Sequence, residues 1–396
     1  MSYLEGAEGA EGAEGAEGAE GAEGAEGAEG AEGAEGAGRF RGASPSALIV
    51  HRDGIAGPWN AVGAAWPLPR PLPPPPPPPP PPVGKAADAV GNLKRWDPRI
   101  RRFVFVSELL SSMTFTVNAA GTSGTLWHGT ASTSAPMTTT WTNLVTIVPP
   151  TLQTFNGQLP LVAGYADLRA DRAREIVAQM AVPYGFWASV VPLYRSRHPR
   201  TYEVLHLIIR LAKYAEMHFK NAFGAPRPHE LSPQIQPMIP TPNHGAFPSG
   251  HSTEAHAGAR VLFELVTKGT STSPAAVQLR EVLMRQAARI AINRTVAGMH
   301  YPVDSMAGQA LGLAVADYFI RRCAASTAAG NVQAVTFDAG GTNYGAGQDF
   351  TGLEIYDPTN DSYVSPAPSY YARGANVSVP GSATLNWLWH EAELEW

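Results

Sequence analysis

Residues 199–228 read PRTYEVLHLIIRLAKYAEMHFKNAFGAPRP and contain the clearest secondary-structure signal of the chain. Apolar side chains recur there at the 3.6-residue period of an amphipathic helix. They are Val204, Leu205, Ile208, Leu211, Ala212, Ala215 and Phe219. Pro199 suits a first helical turn, so the pattern predicts a helix that runs to about Ala222 with one face in a core.

Comparable signals predict further helices around this one. Residues 249–269, 273–296 and 302–324 each open with a capping serine, a first-turn proline or both. The charged, alanine-rich segment 167–180 predicts another helix. Four or five amphipathic helices predict a mostly α bundle of roughly 200 residues, which is large enough to bury a core.

The composition divides the 396 residues into three parts. We expect a disordered head at 1–84, a catalytic body at 85–325 and a C-terminal extension at 326–396. In the body, the Ser- and Thr-rich residues 111–142 predict loops or short strands. The extension predicts one or two short strands. Its end, SATLNWLWHEAELEW at 382–396, predicts a helix that docks on the body, with self-association as the alternative.

The head contains two low-complexity segments. A Gly-Ala-Glu repeat at 5–35 carries eleven glutamates and no large apolar residue, which predicts disorder. Its glycine period resembles collagen, but the repeat lacks proline, so a fibre-forming role is the weaker reading. The ten prolines at 73–82 predict a stiff polyproline II spacer of roughly 31 Å, or a ligand for a partner with an aromatic groove.

The charge balance and the cysteine content bound the function. Removing eleven negative charges from a formal net charge of −5 leaves +6 for the rest of the chain, which suits anionic substrates. Cys323 is the only cysteine, so an intramolecular disulfide is impossible. Neither a secretory signal nor an apolar stretch of about 18 residues occurs, so we expect a cytoplasmic protein without a membrane span.

Three short clusters carry the chemistry: 220–228 (KNAFGAPRP), 248–251 (PSGH) and 294–304 (RTVAGMHYPVD). The second lies where a turn enters a helix, and unpaired N–H groups at such a site favour an anion. There, Gly250 allows close approach and Ser249 adds a hydroxyl donor. The structural alternative for this cluster is ordinary helix capping.

The other two clusters add charge and a second imidazole. Lys220 and Arg227 can bind oxyanion oxygens, although a basic helix C-terminus would look alike. Asp304 lies four residues after His300 and can accept a hydrogen bond from one ring nitrogen. The other nitrogen would then act as a nucleophile. Arg294 adds a further guanidinium.

The three clusters together resemble the signature of the type 2 phosphatidic acid phosphatase and vanadium haloperoxidase superfamily. That pattern is Lys-x6-Arg-Pro, Pro-Ser-Gly-His and Arg-x5-His-x3-Asp, and all ten specified positions occur here. The resemblance covers about residues 199–324. One departure is Asn293, where the family often has serine. The resemblance implies a helical bundle of the acid phosphatase and haloperoxidase type, with the site at its mouth.

The resemblance also implies roles for the binding residues. Lys220, Arg227 and Arg294 would hold the oxygens of phosphate or vanadate. The hydroxyl of Ser249 and the amide of Gly250 would assist them. No divalent metal is implied, because the basic side chains supply the positive charge.

The catalytic roles follow from the same resemblance. His300, oriented by Asp304, would form a phosphohistidine or bond to vanadium. His251 would protonate the leaving group and then activate water. The resemblance therefore implies either a phosphatase that needs no cofactor or a haloperoxidase that needs vanadate, halide and peroxide.

Two positions bear on this choice. His244 stands seven residues before His251, as in bromide-oxidising relatives. Met217 stands three residues before Lys220, where peroxidases tend to carry tryptophan. The compact body resembles soluble acid phosphatases, so we favour hydrolysis of a small phosphorylated substrate over halide oxidation.

A third hypothesis is a fibre or scaffold protein with a relic enzyme body. The repeat, the proline run and the Trp-rich end motivate it, whereas the intact set of catalytic positions speaks against it. Zinc-type spacing, a Walker loop and a dinucleotide fingerprint are missing from the sequence, and nothing indicates a nucleic-acid partner.

Overall fold

The computed structural model describes residues 89–132, 137–268, 272–324 and 329–396. Residues 90–396 belong to one compact unit. The predictions made for the head, residues 1–84, lie outside the described residues. These are the disorder, the Gly-Ala-Glu repeat and the polyproline spacer.

Helices dominate the described residues, which confirms the predicted mostly α fold. The helices are α1 (Ala89–Arg95), α2 (Pro98–Leu110), α3 (Leu152–Tyr165), α4 (Arg169–Ala178), α5 (Tyr184–Ala188), α6 (Pro199–Phe223), α7 (Pro228–Leu231), α8 (Gly250–Thr267), α9 (Pro274–Val296), α10 (Pro302–Ala324) and α11 (Ala383–Glu393). The strands are β1 (Met113–Val117), β2 (Gly124–Ala131), β3 (Thr139–Val148), β4 (Ala329–Asp338), β5 (Tyr356–Asp357), β6 (Ser362–Tyr363) and β7 (Tyr371–Pro380).

Helix α10 occupies the centre of the bundle. Every residue from 302 to 316 is buried, because α6, α8, α9 and α11 pack around it. Small and apolar residues occur on every side of α10, and such a helix is stable only when neighbouring elements enclose it. The predicted bounds of α6, α8, α9 and α10 agree with the structure to within two residues.

Local capping explains where α8 and α9 begin. The side chain of Ser249 accepts a hydrogen bond from the Ser252 amide, and Ser273 accepts one from the Ala276 amide. These bonds satisfy N–H groups that a helix start leaves open. Helix α6 lacks such a local side-chain cap at His198.

The C-terminal end of the chain caps α6 instead. The carboxylate of Glu395 accepts hydrogen bonds from the amides of Arg200 and Thr201, at 2.7 Å and 2.8 Å. The ring of Trp396 stacks on His198, with 4.3 Å between the ring centroids. Helix α11 packs against α6 and α10. This helix lies within residues 382–396, for which the sequence predicted a docking helix.

The close contact between α10 and α8 depends on two glycines. A Cβ built on Gly308 would lie 2.6 Å from the carbonyl oxygen of Ser249, and one built on Gly312 would lie 2.4 Å from that of Thr253. Any side chain would force the helices apart, because the opposing atoms belong to the backbone. This packing holds the start of α8 against the start of α10.

A sheet covers the bundle. This sheet has five strands among the described residues, in the order β1-β2-β3-β4-β7, and only β3 and β4 run parallel in it. The sequence predicted one or two short strands in the extension. The described part of the extension has two short strands, β5 and β6, and in addition β4 and β7, which contain ten residues each. β4 pairs with β3, which is distant in sequence, and β7 pairs with β4, so both long strands depend on hydrogen bonds that a local pattern does not predict.

No helix among residues 89–132, 137–268, 272–324 and 329–396 combines the length and apolarity needed to cross a membrane.

Candidate active site

The first cluster lies at the C-terminal end of α6. Lys220 is in the last turn of the helix, and its side chain is buried. Its Nζ donates hydrogen bonds to the carbonyls of Gly245 and Ala246, at 3.2 Å and 3.5 Å. Gly224 ends the helix in the left-handed region, with φ +52°, as is typical of a helix C-terminus.

Arg227 joins the first cluster to the other two. Its Nη1 donates to the carbonyl of Met299 at 3.3 Å, next to His300. Its Nη2 donates to the carbonyl of His244 at 3.2 Å and lies 3.4 Å from Nδ1 of that ring. The guanidinium is buried and fixed from two sides, so it is held ready for an anion at little further cost in entropy.

The second cluster forms the start of α8. Ser249 is its N-cap, and the Ser249 amide donates to the carbonyl of Asp304 at 3.0 Å. Gly250 is the first residue of the helix. The backbone amides in the first turn of a helix point out from its start, where an anion can bind to them. The second and third clusters are therefore in direct contact through their backbones.

Glu216 is a buried carboxylate beside this turn that the sequence reasoning missed. A Cβ on Gly250 would lie only 2.5 Å from Oε1 of Glu216, so the carboxylate contacts the helix start. Glu216 precedes Lys220 by four residues and shares its face of α6. That spacing was the available signal.

The third cluster contains a buried imidazole–carboxylate pair. Nδ1 of His300 lies 3.0 Å from Oδ2 of Asp304, and the amide of Tyr301 donates to the same oxygen at 3.1 Å. The carboxylate oxygen can only accept, so the proton is on Nδ1. Nε2 is then the unprotonated ring nitrogen, as a nucleophile requires.

Electrostatics keep His300 neutral. Burial lowers the pKa of His300 well below its usual value. The nearby positive charges of Arg227 and Lys220, and the imidazoles of His251 and His244, lower it further. The geometry agrees for Arg227, which donates to the carbonyl of Met299, the residue before His300.

The pKa of Asp304, the partner carboxylate, shifts in the opposite direction. Burial raises the pKa of Asp304 to about 7. The hydrogen bond from the Tyr301 amide and the charges of Lys220 and Arg227 oppose that rise. Asp304 is consequently ionised, and able to support the His300 ring with a negative charge, mainly above near-neutral pH.

Gln179, just after α4, connects Arg294 and His251. Its Oε1 accepts hydrogen bonds from Nη2 of Arg294 at 3.3 Å and from Nδ2 of Asn293 at 2.9 Å. Its backbone carbonyl accepts one from Nε2 of His251 at 2.8 Å. Arg294 also donates to the carbonyl of Ile176 at 2.9 Å. The sequence analysis missed Gln179 because it belongs to none of the three clusters.

The structure brings all the residues selected from the sequence into one region. They are Lys220, Arg227, His244, Ser249, Gly250, His251, Arg294, His300 and Asp304. His251 and His244 are half-buried, whereas the others are buried. The two histidines thus mark the open side of the site. Among the described residues, no group of three or more His, Cys, Asp or Glu side chains is arranged to hold a metal ion.

The model of one protein family matches this part of the chain. It is described as the PAP2 superfamily, and the match spans residues 203–326. Residues 203–326 belong to the PAP2 superfamily. Members of the PAP2 superfamily are phosphatases and haloperoxidases, and the matched PAP2 segment contains every residue selected from the sequence. A search of curated proteins found no match for the chain.

Proposed function

We propose that this chain hydrolyses phosphate monoesters through a phosphohistidine at His300, without a cofactor. The main support is the buried His300–Asp304 pair, in which Nδ1 of His300 lies 3.0 Å from Oδ2 of Asp304. Burial lowers the pKa of His300, which favours the neutral ring. A neutral imidazole with one engaged nitrogen keeps a lone pair on the other. The buried charges of Lys220 and Arg227 beside it suit a substrate that carries two negative charges.

In the first step, Nε2 of His300 attacks the phosphorus atom. The nitrogen–phosphorus bond forms as the bond to the leaving oxygen breaks, and that oxygen keeps the electron pair. His251 supplies the proton to the leaving oxygen. Since Nε2 of His251 donates to the Gln179 carbonyl, Nδ1 is the ring nitrogen that would deliver this proton. Asp304 stabilises the positive charge that develops on His300.

The phosphoryl oxygens would bind to the basic side chains. Lys220, Arg227 and Arg294 provide three positive charges, and the Ser249 hydroxyl and Gly250 amide provide further donors. All three basic side chains are at most 2% exposed, so their attraction for the developing charge is poorly screened. Positioning and charge stabilisation would account for most of the rate acceleration.

In the second step, a water molecule attacks the phosphohistidine. His251, now without its proton, takes a proton from that water as the oxygen–phosphorus bond forms. The nitrogen–phosphorus bond breaks, the electron pair returns to Nε2 of His300, and phosphate leaves. The half-buried position of His251 fits this role, because the attacking water must come from the open side.

A specific contact supports vanadate-dependent halide oxidation as a second candidate. Nδ1 of His244 lies 3.4 Å from Nη2 of Arg227, and the His244 imidazole lowers the pKa of His300 less than burial and the other nearby basic groups do. The donor set around His300 suits tetrahedral vanadate as well as phosphate. When bound, vanadate would activate peroxide toward a halide. Met217 speaks against this candidate, because peroxidases tend to carry tryptophan at that position. The Met217 side chain is 42% exposed.

One side-by-side experiment on the purified full-length chain tests these candidates. We expect release of phosphate from p-nitrophenyl phosphate without vanadate, and slow or no bromination with vanadate and peroxide. Orthovanadate should inhibit hydrolysis competitively, since it imitates the transition state. Bromination that far outpaces hydrolysis would overturn the proposal. If neither reaction occurs, the scaffold hypothesis is favoured.

Trapping the intermediate tests the mechanism. The protein would be mixed with a labelled phosphate ester, and the reaction would then be quenched. Label that remains on the protein, is stable in base and is lost in acid would identify a phosphohistidine. His300→Ala should abolish both label and turnover. His251→Ala should slow esters with poor leaving groups most, because those depend on protonation. Full activity in His300→Ala would exclude this nucleophile. A cytoplasmic location stays a prediction from the sequence.

A further inference from the structure

Large apolar side chains lie on the outward side of α2 and just before its first residue. They are Trp96, Ile100, Phe103 and Val104, which we call the α2 face, and they are 44%, 39%, 50% and 36% exposed. Residues 100, 103 and 104 follow the spacing of one helix face. The opposite side of α2 is buried. Four adjacent exposed residues of this size indicate a binding surface rather than scattered exposure.

Basic residues border the α2 face. Lys94, Arg95 and Arg99 are exposed and Arg102 is half-buried; together they form the basic rim. Lys94 also forms an ion pair with Glu391, at 3.3 Å. Arg99 and Arg102 line a groove of about 310 Å³ that begins at the edge of the face. Arg99 and Arg102 therefore bring positive charge to the groove, beside the exposed carboxylate of Asp97, which accepts a hydrogen bond from the Arg99 amide.

The far wall of the groove adds another guanidinium. Arg195 lies over the ring of Tyr202, with 4.6 Å from its Cζ to the ring centroid, and near Tyr184 at 5.7 Å. The acidic residue in the groove, Glu203, forms ion pairs with Arg101 and Arg200. The groove thus offers basic and aromatic groups to an acidic ligand.

The charge pattern selects one occupant for this surface. In a symmetric pair of copies the same patch meets itself, which would place the basic rim of one copy against that of the other. An anionic bilayer instead attracts the rim and accepts the apolar side chains at its interface. We propose that the α2 face and its basic rim bind peripherally to anionic lipid bilayers.

This attachment would leave the catalytic region clear of the lipid. The groove lies at the start of α6, where Tyr202 lines it, and Lys220 lies eighteen residues further along that helix. At about 1.5 Å per residue, the two are roughly 27 Å apart. The proposal therefore concerns where the protein acts, and it does not rest on the proposed hydrolysis.

Binding to vesicles tests the proposal with the full-length chain. We expect sedimentation with phosphatidylcholine vesicles that contain about 30% phosphatidylglycerol, and little with phosphatidylcholine alone. Salt at about 0.5 M should weaken the binding, because it screens the basic rim. Equal binding to both kinds of vesicle, or binding to neither, would overturn the proposal.

Point variants locate the surface. Phe103→Ser should weaken vesicle binding about tenfold, and Arg95→Gln about fivefold. Leu353→Ser removes a side chain that is also exposed, by 55%, but that lies in a loop outside the α2 face. This variant should therefore bind vesicles like the parent chain. Hydrolysis of a soluble ester should be equal in all of them. If Phe103→Ser leaves vesicle binding intact, the proposal is wrong. It is also wrong if the parent chain does not bind vesicles and instead forms a dimer that Phe103→Ser converts into a monomer.

Discussion

The backbone carbonyl of Gln179 lies 2.8 Å from Nε2 of His251, while its side-chain oxygen lies 3.3 Å from Nη2 of Arg294. One buried residue thus contacts both the predicted proton donor and a predicted oxyanion ligand. Because the carbonyl can only accept, it also fixes which nitrogen of His251 carries the proton. Gln179 acts through its neighbours, so it is a positioning residue.

We expect Gln179→Ala to raise the KM for phosphate esters about tenfold, because Arg294 loses a charge-assisted hydrogen bond. The turnover number should change less, since the backbone carbonyl still holds His251. Steady-state kinetics and the inhibition constant of inorganic phosphate measure the effect. Gln234→Ala, at an exposed glutamine, is the control. A purely structural role for Gln179 would lower stability and leave KM unchanged.

The raised pKa of Asp304 predicts an acidic limit to activity. Below about pH 7 Asp304 takes up a proton, so it no longer carries the negative charge that stabilises the positive charge developing on His300. We therefore expect kcat/KM to fall as the pH drops through about 7. His300 does not set this limit, because its pKa lies well below its usual value and it stays neutral.

Asp304→Asn provides the comparison for the pH profile. We expect the variant to lose about 10²- to 10⁴-fold in kcat/KM, because the carboxylate no longer supports the proton on Nδ1. The acidic limb near pH 7 should vanish from its profile, apart from the titration of the substrate itself. An unchanged limb in Asp304→Asn would assign the ionisation to another group.

The sequence predicted the site better than its surroundings. Lys220, His300 and Asp304 lie within short motifs. Residues of one motif are only a few positions apart, as His300 and Asp304 are, so a contact between them can be predicted from their spacing. Gln179 and Glu216 reach the site only through tertiary packing, from α4 and from an inner face of α6. Gln179 belongs to none of the three clusters, and the local signal for Glu216 is limited to its four-residue spacing from Lys220.

The same reasoning explains the outcome for the fold. The bounds of α8 and α9 were predictable, because serine caps and a first-turn proline are local signals. The sheet was underestimated, since β4 pairs in parallel with β3 across nearly two hundred residues of chain. The capping of α6 by Glu395 is equally non-local, and α6 has no side-chain cap in its own sequence.

A buried histidine away from the catalytic pair predicts loss of stability in acid. Burial lowers the pKa of His256 to about 4, against 6.5 in the unfolded chain. Between these values the unfolded chain binds a proton that the folded chain does not. Stability is therefore fully present above pH 6.5 and falls as the pH drops through this window.

His256→Leu should remove this contribution. From pH 7 to pH 5, we expect the parent chain to lose about 2 kcal/mol more unfolding free energy than the variant does. Urea unfolding at the two pH values gives the difference, so a change in absolute stability does not affect the test. His390→Gln, at an exposed histidine, should leave the difference unchanged. Equal pH sensitivity in His256→Leu and the parent would refute the assignment.

Close packing of α10 on α8 predicts a sensitive glycine. In Gly308→Ala the new Cβ would lie 2.6 Å from the carbonyl oxygen of Ser249 and 2.7 Å from Cβ of Ser252. The helices must separate, which should lower the unfolding free energy by about 2 kcal/mol. The contact between the Ser249 amide and the Asp304 carbonyl should weaken as well, and kcat/KM should fall.

Gly164→Ala is the matched control for this glycine. Gly164 lies within α3, and a Cβ there would meet nothing within 4 Å. Alanine favours the helix by about 1 kcal/mol, so this variant should be as stable as the parent or more stable. Similar destabilisation of both variants would show that helix packing at Gly308 is not the cause.

The contact between Glu395 and the start of α6 predicts a stability effect without a catalytic one. Glu395→Ala removes the acceptor for two amides and for the Thr201 hydroxyl, and it should cost about 1–2 kcal/mol of unfolding free energy. Glu395→Gln keeps an oxygen acceptor and should cost less. Lys220 lies at the opposite end of this helix, so kcat/KM of the folded fraction should stay at the parent level. A loss of kcat/KM at unchanged stability would mean that the C-terminal end of the chain acts on the site directly.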